Sequence, residues 1–538
     1  MEAVFKSYDQ DQQYLLPPSL EELIPPNHLV RVVNEAVEKM DLKPLMESYS
    51  GGGASSYHPK MLLKTLIYGY VTKTYSSRRI AQSLRENINF MWLSGNNRPD
   101  FRTINNFRSS RLKEYIESVF GSTLELLIEA KLIKFEDYFQ DGSTIEADAN
   151  KHSYVWKKTV KRNKLKVETH IKELIKKIDQ INEEEENQYG SRDLEEMGEE
   201  STISSEKIKK KVEEINQKIK SISEKKKVKQ QETIVKKLTK EYIPKLEKYE
   251  EHLKNLGDRN NYSKTDVDAT FMRLKSNGYG NRELKPGYNI QIGTEGQYIV
   301  NFSVHQNSTD TANMIPHLEK LKERLKPFTK HSKRKLPLNI IADAGYGSEE
   351  NYQYLESEKI NGYVKYNTFD IERMKKNREN KFRVENLRYD KQKDEYICPA
   401  GKSLKYIDTV KVTSRTGYVS TRTMYLSEGC DGCELRSLCH KSKSDRRIQV
   451  SHKLNTYRTK ARELLETDIG KDYRKRRGVE VETVFGDIKR NRGFRRFSLR
   501  GIKKVNTELG IMSIAHNLIK WAINKIEKDS IMKLAVAH

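Results

Sequence analysis

The chain has no uninterrupted apolar run near the ~20 residues that a bilayer-spanning helix requires. This excludes an ordinary helical membrane protein. Its opening, "MEAVFKSYDQDQQYLLPPSL", lacks a basic stretch leading into an apolar one, so no secretory signal is expected. Cysteine is scarce, with 4 in 538 residues, which excludes a disulfide framework and makes a reducing compartment the simpler assumption. A cytoplasmic, nucleoid-associated protein is expected.

Positive charge, by contrast, is abundant. Lys and Arg number 100 against 76 acids, a net charge of +24 with a pI near 9.4. An excess of this size favours a polyanionic partner, most commonly nucleic acid. General solubility, or attachment to a ribosome or membrane surface, would need a similar surface. With 538 residues, several domains are expected.

Residues 1–130 read as a helical domain. "HPKMLLKTLIYGYVTK" spaces Leu62, Leu63, Leu66, Ile67 and Tyr70 for a helix, with a proline suited to its first turn. "SSRRIAQSLREN" offers Ser76 or Ser77 as N-cap. "PDFRTINNFRSSRL" offers Asp100 as a cap and carries Arg102, Asn105, Asn106, Arg108 and Arg111. Three short helices, the last rich in Arg and Asn, fit a helix-turn-helix DNA reader, in which Arg102, Asn105 and Arg108 would touch DNA. A plain helical bundle with a solvated basic face would read the same way.

A strand is expected in "EDYFQDGSTIEADAN", then composition changes abruptly. Over 157–256, Val167, Ile171, Leu174, Ile178 and Ile181 step by four and three, as do Ile208, Val212, Ile215, Ile219 and Ile222. That period is a heptad seam, and the acidic stretch between reads as the turn of an antiparallel coiled-coil hairpin inserted into the chain. Alternating runs in "GYNIQIGTEGQYIVNFSVHQ" predict a β-hairpin. A helix at about 310–326, a strand "LNIIA", a second helix and a strand "INGYVKYN" follow. Together, 131–156 and 257–366 predict an α/β domain with a mixed sheet, where sites gather at strand ends. A basic, Cys-rich insertion covers 367–470. Residues 471–538 return to helix and are expected to complete the α/β core.

Asp141 and Asp343 each follow an apolar or aromatic run and precede small residues, so each can face a cleft. Either could also be an ordinary turn or strand exit. Around Glu482, Val481, Val484, Phe485 and Ile488 form an apolar stripe at i, i+3, i+4, i+7, with Glu482 and Lys489 beside it. Taken in order, "DGSTIEADANK", "IIADAGYGSEEN" and "VETVFGDIKRNRGFRRFSLRG" closely resemble the DDE transposases of bacterial insertion sequences, and most nearly insertion-sequence family 1182. "TDVDATFM" and "CPAGKSL…CDGCELRSLC" add to the similarity, which covers most of the chain apart from 157–256.

The resemblance implies an RNase H-like core, a mixed sheet flanked by helices, whose acids Asp141, Asp343 and Glu482 bind two Mg²⁺ or Mn²⁺ ions. It implies a transposase that cuts at terminal inverted repeats and transfers strands into target DNA, working as a homodimer or larger synaptic complex, with no membrane partner. Related families show Tyr, Arg, Glu and Lys spaced as Y-x2-R-x3-E-x6-K. Here Lys489 fits when the count starts from Glu482, whereas Tyr473 and Arg476 fit only when it starts from Glu480. Glu482 keeps the distance to Phe485 and Lys489 and is preferred. Two hard cations about 3.5–4 Å apart suit charge on the attacking and leaving oxygens of a phosphodiester, and carboxylates suit those cations. Lys489, Arg490, Arg492, Arg495 and Arg496 would hold DNA phosphates. A metal-dependent nuclease on the same core, or a non-catalytic DNA-binding descendant, are the alternatives.

Cys398, Cys430, Cys433 and Cys439 are the only cysteines. A C-x2-C pair can grip one tetrahedral metal. Cys398 and Cys439 could complete a structural zinc site, with His440 as a substitute; unliganded thiols are the other reading.

Overall fold

The computed structural model describes residues 18–49, 56–189, 204–219, 225–275, 282–330 and 336–536. The chain divides into two compact units, one of residues 1–145 and 289–538 and the other of 146–288. None of the helices among the described residues is long and apolar enough to cross a membrane.

The larger unit holds a mixed sheet. Five of its six strands are β1 (Asp137–Glu146), β2 (Arg282–Glu295), β3 (Tyr298–His305), β4 (Asn339–Ala342) and β5 (Asn361–Val364), in the order β3-β2-β1-β4-β5; the sixth, Thr270–Lys275, pairs antiparallel with Arg282–Gly287 of β2. β2 and β3 are antiparallel across a turn in which Gly296 and Gln297 both take positive φ, the conformation of a tight hairpin loop. β4 runs parallel to both β1 and β5. Tyr138, Phe139, Ile290, Ile292, Ile340 and Ile341 are buried, as a sheet covered by helices demands.

The closing helix, Ile502–Val536, covers β3. Leu509, Ile511, Met512, Ile514 and Ala515 are fully buried, and the Asn517 side chain grips both the N–H and the carbonyl of Ile299. Leu518 and Ala522 are also buried, while Trp521 between them is only half-buried. Helix 310–326 starts later than its pattern suggests, at Met314.

At the N-terminus, Pro59–Val71, Ser77–Glu86 and Phe101–Asn106 are helices. Ser76 occupies the N-cap position and Asp100 caps its helix by accepting from Thr103 N–H at 2.7 Å. An extra helix, Ile88–Ser94, capped by Asn87, intervenes.

In the smaller unit, the 157–256 segment contains more than a two-helix hairpin. Lys157–Tyr189 and Ser205–Ile219 share one apolar cluster with a third helical stretch over 225–256. Val167, Ile171 and Ile178 meet Ile208, Val212, Ile215 and Ile219, joined by Val235, Leu238, Ile243 and Leu246. The third stretch was overlooked because a wide turn at Leu238–Tyr242 and Pro244 break its period. The Ile181 and Ile222 side chains, and 190–203 of the proposed turn, lie outside the described residues.

The Cys-rich stretch contains a second sheet, antiparallel throughout. Its strands are β6 (Arg388–Asp390), β7 (Glu395–Ile397), β8 (Ser403–Thr413), β9 (Val419–Ser427) and β10 (Arg447–Val450), ordered as in the chain. Leu404, Tyr396, Tyr425 and Ile448 form its small core.

Candidate active site

Asp141 lies within β1, because the strand continues through "DG" to Glu146, so it is neither a turn nor a strand exit. Its neighbour on the sheet is fixed by register. Asp137 pairs with Asn339, Tyr138 with Ile340 and Phe139 with Ile341. Asp141 and Asp343 lie two residues beyond the last of these pairs, near enough for the charge of Asp343 to act on Asp141. Asp343 begins just where β4 ends, and its carboxylate accepts from Gly345 N–H at 2.8 Å.

The Asp141 side chain is 17% exposed. Burial pushes its carboxyl up to about 7; Arg477 opposes the rise, while the negative charges of Asp343 and Asp310 add to it. A carboxyl so placed favours either a proton or a cation of higher charge than a guanidinium.

Glu482 comes from the segment after the helix Asp468–Arg477, through turns wider than α-helix at Gly478–Glu482 and again at Asp487–Asn491. Val481, Val484, Phe485 and Ile488 are buried, as their stripe predicts. Glu482 itself is half exposed and pairs with Arg477 Nη2 at 2.5 Å, while Nη1 of the same guanidinium stands 3.8 Å from Asp141 Oδ2. Arg477 thus bridges Asp141 and Glu482.

Glu480 faces elsewhere. It accepts from Gln297 N–H at 2.8 Å, pairs with Arg476 at 3.3 Å, and its carbonyl accepts from Thr294 Oγ1 at 3.2 Å. Tyr473 and Arg476 both bind Asp137, at 2.6 and 3.4 Å. The Tyr473, Arg476 and Glu480 series therefore fastens this segment to the start of β1 and the β2–β3 turn. Lys489 reaches Ser143, two residues beyond Asp141.

Asp310 is the acid the sequence reading missed. Its Oδ1 accepts from Asn289 Nδ2 and Gln291 Nε2, both at 2.8 Å. A Cβ placed at Gly345 would lie 3.0 Å from Asp343 Oδ1 and 3.8 Å from Asp310 Oδ2, so both carboxylates crowd that glycine. The signal was a lone Asp in "NSTDTAN", a polar turn before a helix, which composition alone cannot distinguish from a cap.

The basic residues divide by burial. Arg490, Arg495 and Arg496 are exposed. Arg492 is buried and is spent on Asp487 at 2.6 Å and the Val71 carbonyl at 3.4 Å. Arg108 is 3% exposed and donates to Tyr70 Oη, the Tyr75 carbonyl and Asn105 Oδ1. Arg492 and Arg108 are thus engaged inside the fold, in contrast to the exposed placement expected of phosphate contacts. Arg102 and Asn105 remain exposed.

Hard carboxylate oxygens at 141, 343 and 482 are the donor chemistry that Mg²⁺ or Mn²⁺ takes. Among the described residues no group of three or more His, Cys, Asp or Glu is already arranged around a metal position. At the acids, the Arg477 guanidinium occupies the gap between Asp141 and Glu482.

The mixed sheet, the neighbouring acids Asp141 and Asp343, and the basic segment that carries Glu482 make an α/β architecture with one acidic cluster. Residues 397–522, which include Glu482 and Lys489, match the family described as Transposase DDE domain, and residues 18–110 match Transposase domain (DUF772). These two separate matches support a DDE transposase of insertion-sequence type. They do not single out the family-1182 group. Comparison with curated proteins and with solved structures yields no significant match.

Proposed function

We propose that this protein binds the terminal inverted repeats of an insertion sequence, cleaves DNA at the element's ends and joins the freed 3′-hydroxyl to target DNA. The observation that carries this reading is the proximity of Asp141 to Asp343 just past the parallel β1–β4 pairing, together with Arg477 linking Asp141 to Glu482. A strand order β3-β2-β1-β4-β5, with a β2–β3 hairpin and parallel β4 and β5, supports an RNase H-like core.

Asp141, Asp343 and Glu482 would hold two Mg²⁺ or Mn²⁺ ions, which when bound supply activation of the attacking oxygen and charge stabilisation on the leaving one. Arg477, which links two of these carboxylates, would have to give them up for a cation to be held there, and its charge would then be free for a DNA phosphate. Lys489, held near Asp141 through Ser143, and the exposed Arg490, Arg495 and Arg496 fix the DNA backbone in register. Arg102 and Asn105 of the N-terminal helices add end contacts. Two chains act together on two ends.

The test is incubation of the full chain with its element's end sequence, target DNA and Mn²⁺. Strand-transfer product supports the reading. Cutting without joining would make the protein a nuclease, and binding without cutting a DNA-binding descendant.

A further inference from the structure

The four cysteines come together away from the acids. Cys398, Cys430, Cys433 and Cys439 are all reduced and line one small pocket with His440 and Arg446. Cys398 follows β7 in a tight turn closed by Gly401 N–H to the Cys398 carbonyl, with Gly401 at φ 76°. Cys430 and Cys433 lie in a second tight turn, in which Gly432 takes φ 69° and Cys433 N–H donates to the Cys430 carbonyl. Both glycines take a left-handed conformation that a side chain would strain.

The surroundings of the sulfurs are donors. Lys402 N–H points at Cys398 Sγ at 3.3 Å and Arg446 N–H at Cys430 Sγ at 3.4 Å. Arg446 Nη1 lies 3.1 Å from Cys439 Sγ. N–H groups aimed at sulfur are what a metal-bound thiolate needs around it, and the buried Arg446 offsets the negative charge of a thiolate cluster. Both ring nitrogens of His440 are buried without any hydrogen-bond partner, an arrangement that neutral thiols leave uncompensated.

We propose that Cys398, Cys430, Cys433 and Cys439 bind one structural zinc ion, with Arg446 and His440 as N–H donors to the sulfurs. Zinc in closed sites takes four ligands, and four thiolates leave no open position for chemistry. Cys439 and His440 are consecutive, at the end of the helix Arg436–Cys439, and His440 is extended. On this proposal Cys439 is the ligand of the pair, and His440 supplies its unpartnered ring N–H. Binding requires the four side chains to turn inward, since no ready-made metal group exists among the described residues. The ion then ties the turn after β7 to the loop between β9 and β10, closing one end of a sheet with a very small core. This proposal does not depend on the transposase reading.

The experiment uses full-length protein purified under reducing conditions without added zinc, with metal analysis and X-ray absorption at the zinc edge. About one zinc per chain is expected, with only sulfur in the shell at about 2.3 Å. His440→Gln should keep the metal, and the double variant Cys430→Ser/Cys433→Ser should lose at least tenfold of it. Folded wild-type protein without zinc, a nitrogen ligand at about 2.0–2.1 Å, or zinc retained in the double variant would each overturn the proposal. If the double variant is insoluble, the wild-type shell alone decides.

Discussion

Arg477 Nη1 lies 3.8 Å from Asp141 Oδ2, and its other terminal nitrogen binds Glu482. One guanidinium therefore joins two acids drawn from segments more than 300 residues apart. On the proposed two-metal reading, this guanidinium stands where a cation would be held. Arg477→Met should tighten Mn²⁺ binding, measured by calorimetry at pH 8, because a competing cation has gone. DNA cleavage should nonetheless fall about 100- to 1,000-fold, as loss of one charge stabiliser would cause. Unchanged metal affinity would mean that Arg477 does not occupy the metal position.

Asp141 makes stability depend on pH. Its carboxyl rises from 3.8 to about 7, chiefly through burial. The folded chain then binds the proton more tightly than the unfolded chain. The resulting stabilisation is complete below about pH 3.8 and is lost as pH climbs through about 7. Asp141→Asn should raise the Tm at pH 8, by an amount worth at most about 4 kcal/mol, and change little at pH 4. Adding Mg²⁺ to the wild type should narrow the gap at pH 8. A variant no more stable than wild type at pH 8 would contradict the buried placement of this acid.

Arg108 and Arg102 should separate stability from DNA binding. Arg108→Met strips donors from Tyr70, the Tyr75 carbonyl and Asn105. It should cost about 2–4 kcal/mol in chemical denaturation. Arg102→Ala, at an exposed site, should leave stability within about 0.5 kcal/mol. It should weaken DNA binding and reduce the salt slope by about one. The opposite assignment of effects would place the DNA face elsewhere.

The helical segment should be removable. Tyr154–Trp156 pairs antiparallel with Asn261–Ser263, so the chain enters and leaves side by side. Replacing 157–260 by a short Gly-rich turn should keep a cooperative unfolding transition while weakening self-association or DNA-complex assembly, read by ultracentrifugation. Aggregation or loss of the transition would show that the segment supports the rest.

The strand runs around Asp141 and Asp343 were legible because alternating or continuous apolar residues report burial directly. Their juxtaposition was not, since strand register is a long-range property. Arg108 shows the reverse failure. Its type suggests DNA, but only tertiary packing reveals that its guanidinium satisfies a buried tyrosine and a carbonyl. Asp310 was missed because a single acid in a polar turn has no periodicity. The five-stranded sheet around the cysteines was missed because most of β8 and β9 is exposed, so charge obscured the alternation.

The most direct test of the central claim compares Glu482→Gln with Glu480→Gln in strand cleavage at the element's end. Glu480 is 9% exposed and braces the β2–β3 turn, whereas Glu482 shares Arg477 with Asp141. With DNA binding and folding monitored alongside, Glu482→Gln should abolish cleavage while still binding the end. Glu480→Gln should lower thermal stability yet cut wherever it remains folded. Cleavage retained by Glu482→Gln and lost by a folded Glu480→Gln would contradict the assignment of the third acid.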